Sequence, residues 1–170
     1  AFKRTDNFKL PVDFLAENIW AHMHMIGRRV HAWAELPDGS RRELLLIDDW
    51  DFNWQDTYLY REPFVLPKET VVHAEWTWAN TSDNPRNPFN PPQLIEWGEG
   101  STDEMSGLIL GGKTVNPGWE EGAHWLAVAV EDVVEGALEV LGGEGDQPPG
   151  IERAGPGVHP VEAVGGGELE

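Results

Sequence analysis

The sequence predicts an all-β fold, an antiparallel β-sandwich or jelly roll, followed by an acidic amphipathic helix and a disordered tail. Three observations carry that expectation. Short runs of alternating apolar and polar residues recur before residue 111, clusters of Gly, Pro, Asn and Asp separate them, and helical periodicity starts only after residue 119. The charge then changes character: residues 1–118 carry 18 acidic and 11 basic side chains, whereas residues 119–170 carry 12 acidic and one basic. The chain divides accordingly into a sandwich domain at 1–118, a helix at 119–142 and a Gly/Pro-rich tail at 143–170.

Taken in order, residues 1–17 are mixed, with Phe8, Leu10, Val12, Phe14 and Leu15 weakly alternating, and read as a first strand or an entry segment. Residues 18–26 read as a strand and Gly27 as a bulge or bend. Val30, Ala32, Ala34 and Leu36 share one face of the next strand, and Pro37-Asp38-Gly39-Ser40 is the turn of a hairpin to residues 42–47. The segment 48–55 is an acidic, aromatic loop. Its alternate residues Trp50, Phe52 and Trp54 are expected to plug the gap between sheets, and Asp48, Asp49 and Asp51 to form a solvated turn rather than a hard-cation site. Residues 58–66 and 70–78 give two more strands, joined through Pro67-Lys68-Glu69.

Residues 80–92, dominated by Asn and Pro, form a long loop, and 94–97 and 105–110 read as short strands. Leu126, Val130, Val133, Val134, Ala137, Leu138 and Leu141 then fall at helical spacing with an acidic opposite face, and Gly142-Gly143 ends the helix. Nine glycines and four prolines within residues 142–170 give the composition of a disordered tail.

Composition removes several functions. A net charge of −18 repels nucleic acid and anionic membranes, so neither is an expected partner. With no cysteine, these residues offer no disulfide, zinc–thiolate site or thiol nucleophile. The apolar stretch 125–141 is broken by Glu131, Asp132, Glu135 and Glu139, and no basic-plus-apolar leader opens the sequence, so neither a membrane span nor a signal peptide is expected within it.

Chemistry concentrates at Ala21-His22-Met23-His24-Met25-Ile26-Gly27. In an extended strand, residues two apart share a face, so His22 and His24 can converge on one metal ion, while Met23 and Met25 point to the core. Paired strand histidines are also common without a metal, and spacing alone leaves both readings open.

Three blocks in order alter that balance: His22-Met23-His24-Met25-Ile26-Gly27-Arg28, Asp51-Phe52-Asn53-Trp54-Gln55 and Gly100-Ser101-Thr102-Asp103-Glu104-Met105. Together with the loop at 80–88 they span about residues 18–111. In this the chain resembles the catalytic C-terminal domain of the copper type II, ascorbate-dependent monooxygenases, the peptidylglycine α-hydroxylating and dopamine β-monooxygenase group, and is most similar to its bacterial multidomain members. The resemblance implies a β-sandwich in which His22, His24 and Met105 hold an oxygen-binding copper, catalysing hydroxylation of a substrate C–H by dioxygen. It also implies a second copper in a preceding three-histidine domain, an ascorbate-type reductant, and a periplasmic or secreted location. Imidazole suits both copper oxidation states and a thioether favours Cu(I), which agrees with that ligand set.

His31, His73, His124 and His159 form no second cluster in the sequence and read as structural or solvated. Peptide-amidating members hold their substrate's carboxylate with an arginine, an asparagine and a tyrosine. Trp20, Gly107 and Ile109 stand in those places and offer at most one indole N–H. A small apolar or aromatic substrate is therefore expected in place of a peptide carboxylate. The alternatives are a non-catalytic copper-binding or interaction module, and a purely structural sandwich, which separation of His22 from Met105 would favour.

Overall fold

The computed structural model describes residues 2–115, together with the two-residue strands 125–126 and 160–161. Alternation is the local cause of the fold. In β2 (Phe14–Met23), Phe14, Ala16, Ile19, Ala21 and Met23 are buried, and in β6 (Val71–Trp78) Val72, Ala74, Trp76 and Trp78 are buried, the residues between being more exposed. Both are strands with one apolar face, and such faces close on one another.

The remaining elements are β1 (Phe2–Lys9), β3 (Gly27–Glu35), β4 (Arg41–Ile47), β5 (Thr57–Leu66), β7 (Ser106–Thr114), β8 (Trp125–Leu126) and β9 (Pro160–Val161). They form two sheets, one ordered β1-β6-β3-β4 and the other β8-β7-β2-β5-β9. Every pairing is antiparallel except β9, which runs parallel to β5. One hydrophobic cluster takes Val30, Leu44, Val72 and Trp76 from the first sheet and Phe14, Ile19, Met23, Leu108 and Leu110 from the second. Across it Tyr60 of β5 donates its hydroxyl to the Leu44 carbonyl of β4 at 3.2 Å, and Arg42 of β4 lies over the Phe64 ring of β5 at 3.5 Å. The fold is all-β and sandwich-like, with no helix among the described residues.

Several expectations need correction. Of the two readings of residues 1–17, the first strand holds for residues 2–9, which pair with β6 from Phe2↔Trp78 to Lys9↔Val71. The strand carrying His22 starts at Phe14 and stops at Met23, so His24 lies one residue beyond it. A tight turn causes the stop. The Gly27 N–H bonds the His24 carbonyl at 3.1 Å, and a Cβ at residue 27 would sit 2.7 Å from Trp50 Cδ1 and 2.9 Å from Met23 Cβ. Only glycine fits there. Met23 joins the core as expected, whereas Met25, inside the turn, is half-buried and outside it.

Residues 94–97 are not a strand: Leu94 is 84% exposed, and only Trp97 makes a bridge, to Glu104. Of the three loop aromatics only Trp50, 1% exposed, plugs the core; the chain turns at 52–53, leaving Trp54 62% exposed. The expected helix at 119–142 and tail at 143–170 lie outside the described residues, save for the extended pairs of β8 and β9.

Candidate metal centre

The centre is assembled on the face of the five-stranded sheet turned away from the core. His22 pairs with Gly107 across β2 and β7, and Met23 pairs with Ser106. Opposed residues share a face and alternate residues return to it, so Trp20, His22, Gly107 and Ile109 lie on one side, and Met105 joins them. One step beyond the last pair, the N–H groups of His24 and Met105 share one acceptor, Glu104 Oε1. The His22 and His24 ring centroids are 4.9 Å apart and nearly perpendicular. The two-residue spacing thus brings the two histidine rings together, as expected.

The partners of each ring decide what its other nitrogen can do. Gln55 Nε2 donates to the Phe52 carbonyl at 2.8 Å, which orients the amide so that its Oε1 faces His22 Nδ1 at 2.6 Å. An amide oxygen only accepts, so His22 carries its proton on Nδ1 and its lone pair on Nε2. His24 Nδ1 lies 3.2 Å from the Asp103 carbonyl, which again only accepts and again frees Nε2 as the lone-pair nitrogen. Metal-ligating histidines are oriented in this way, by an acceptor behind the ring. Burial pushes the His22 pKa below its usual value and the neighbouring His24 adds to this, while the Gln55 hydrogen bond opposes it. The ring is therefore neutral at pH 7.

Glu104 joins the two sides. It is 3% exposed, and its Oε1 accepts the N–H of His24 at 2.7 Å and the N–H of Met105 at 3.0 Å. Burial pushes its pKa up to about 7, against the stabilising pull of those two N–H groups and of Trp78 and Ile26 nearby. The Trp78 indole faces the carboxylate without completing a hydrogen bond, since Trp78 Nε1 and Glu104 Oε2 are both buried and unpartnered.

Around these groups sit aromatics: Trp20 stacks on His22 at 5.4 Å and Phe52 meets His24 edge-on at 5.7 Å. At Gly107 a Cβ would make ordinary contact with His22 Cβ and the Trp20 ring, both at 3.9 Å. Among the described residues no three His, Cys, Asp or Glu side chains converge as a metal-ligand group.

Sequence reasoning did not single out Gln55, the Asp103 carbonyl or Glu104, and it expected Phe52 between the sheets, where instead its ring meets His24. All four lie in the blocks quoted above, and the usable signal was an acidic residue adjoining a candidate ligand.

The other candidates lie elsewhere. His31 and His73 are on the outward face of the four-stranded sheet, His31 facing Glu43 and His73 stacked on Trp33 at 5.0 Å. Asp49 pairs with Arg86 at 2.6 Å, Asp48 pairs with Arg29 at 2.7 Å, and Asp51 accepts the Asn53 N–H, so this loop is held by ion pairs and turn bonds. His124 and His159 are outside the described residues. No protein-family model matches the chain, and no curated protein matches it.

Proposed function

We propose that the domain binds one copper ion through His22, His24 and Met105 and is the oxygen-activating half of a copper-dependent monooxygenase. The two sheets would be the layers of a jelly-roll sandwich. The observation that supports this most directly is the pair of adjacent imidazoles, each with Nδ1 tied to an acceptor and its Nε2 lone pair left for a metal, beside a Met105 whose N–H shares the Glu104 oxygen with that of His24.

The residues present fit copper better than zinc. Two imidazoles and a thioether are soft enough to hold Cu(I), and zinc would more usually collect a further histidine, a carboxylate or a thiolate. Such an ion, when bound, supplies dioxygen binding and one-electron chemistry for oxidation of a C–H bond. The protein's part is orientation. Gln55 and the Asp103 carbonyl fix the rings, burial keeps His22 neutral, and Trp20, Phe52 and Ile109 give an apolar surround suited to an apolar or aromatic substrate. No cationic side chain is among these surrounding residues to hold a carboxylate. With His31 and His73 engaged on the other sheet, the second electron is assigned to a partner, a preceding three-histidine copper domain or another donor, in a periplasmic or secreted setting.

Anaerobic titration of the full chain with Cu(I) tests the proposal. One equivalent should bind, with sulfur in the first coordination sphere by X-ray absorption. Copper binding unaffected by combined His24→Ala and Met105→Ala overturns it.

A further inference from the structure

The hydrogen-bonded ladder between β2 and β7 ends at Met23↔Ser106. His24 and Met105 are the next residues beyond the paired ends of β2 and β7, and both lie outside the strands. Their N–H groups turn instead to a single atom, Glu104 Oε1, so a side chain supplies the rung that the backbone ladder lacks.

Glu104 is itself fixed at both backbone ends. Its N–H bonds the Glu96 carbonyl at 3.0 Å and its carbonyl accepts the Gly98 N–H at 3.0 Å. Asp103 Oδ2 accepts the Gly100 N–H at 3.1 Å, closing the loop that carries it. A side chain so deeply buried is usually apolar, because an unpartnered carboxylate oxygen in a protein interior is costly. An apolar residue would fill the same volume and leave two buried N–H groups unserved.

We propose that Glu104 is the positioning residue of the centre. By clamping the backbones of His24 and Met105 to one oxygen it sets the separation of imidazole and thioether, and so determines whether sulfur reaches the metal and Cu(I) is preferred. This rests on the copper reading above. Glu104 touches neither metal nor substrate and acts through the two residues it clamps.

The test uses the full chain with Glu104→Ala and Glu104→Gln, the latter keeping an oxygen that can accept both N–H bonds. In the metal-free protein, amide hydrogen exchange at His24 and Met105 should accelerate together in Glu104→Ala and remain near wild type in Glu104→Gln. Competition with a chromophoric chelator should show Cu(I) bound about 10- to 100-fold more weakly by Glu104→Ala. Sulfur should be lost from its X-ray absorption spectrum while histidine scattering persists and Cu(II) affinity is little changed. Glu104→Gln should restore both the sulfur signal and the Cu(I) affinity. If the alanine variant does not fold, Glu104→Leu, apolar and lacking any acceptor or sulfur, takes its place with the same expected results.

An unchanged Cu(I) to Cu(II) preference in the folded acceptor-free variant, or amides that stay protected in it, overturns the role of Glu104. Failure of the wild-type chain to bind copper overturns the copper reading instead, and the exchange data then report the clamp separately.

Discussion

Each sheet turns two histidines away from the core, and the two pairs differ in what stands behind the ring. On the four-stranded sheet His31 faces the Glu43 carboxylate and packs against Trp33, over which Arg41 lies at 4.5 Å, and His73 stacks on the same indole with Glu35 at 3.6 Å. Both carboxylates approach through Nε2. On the five-stranded sheet the acceptors are a side-chain amide and a backbone carbonyl, and both approach through Nδ1. At His31 the contact is a hydrogen bond at 2.5 Å, whereas His73 Nε2 is buried and makes no hydrogen bond. A histidine whose Nδ1 is tied behind the ring leaves the Nε2 lone pair free, the arrangement a metal ligand would need.

The largest test of this contrast removes both members of each pair. His22→Ala with His24→Ala should abolish copper binding in an anaerobic titration, and His31→Ala with His73→Ala should leave it at one equivalent. Equal losses from the two double variants would erase the distinction between the faces.

Next in size is a pH effect confined to the site face. Glu104 binds its proton more tightly in the fold, at a pKa of about 7, than at its ordinary value of 4.5. Between those values the unfolded chain holds fewer protons than the fold, so the stability of the metal-free protein falls as pH rises from about 4.5 to about 7. The loss is on the order of 3 kcal/mol. Thermal melts of Glu104→Gln across this window should lose that slope. A slope retained in the variant assigns it to another group.

A smaller effect comes from Gln55. Its hydrogen bond raises the His22 pKa against burial, so Gln55→Ala should lower that pKa further in an NMR titration and weaken copper binding by about tenfold. The smallest belongs to the opposite face, where Glu43→Gln breaks half-exposed contacts to His31 and Arg41 and should change stability by no more than about 1 kcal/mol. A larger change would make that network more than a surface feature.

Much of this could be read from local pattern. The hairpin of β3 and β4 follows from Pro37-Asp38-Gly39-Ser40, where Gly39 takes φ 84°, and alternation located β5 and β6 to within a residue or so. The convergence of His22 and His24 followed from the two-residue period, although the strand stops before His24. What the pattern missed depends on distant partners. The turn at residues 24–27 is set by the approach of Trp50, and the meaning of Gln55 and Glu104 lies in atoms 33 and 80 positions away. Leu94 and Trp54 were misplaced because an apolar residue in a loop resembles one in a strand until the turn beside it is seen.

The rung supplied by Glu104 also has a kinetic meaning. Its bond to Met105 is local, but its bond to His24 spans eighty positions, so the rung is completed only after the intervening chain has closed and β7 has joined β2. Closing so long a loop carries a large entropic cost before any contact rewards it. Copper held across this junction would bind the closed sheet and not the open chain. It would therefore slow unfolding far more than it speeds folding, and dissociation of the metal would time the first opening of the β2–β7 seam.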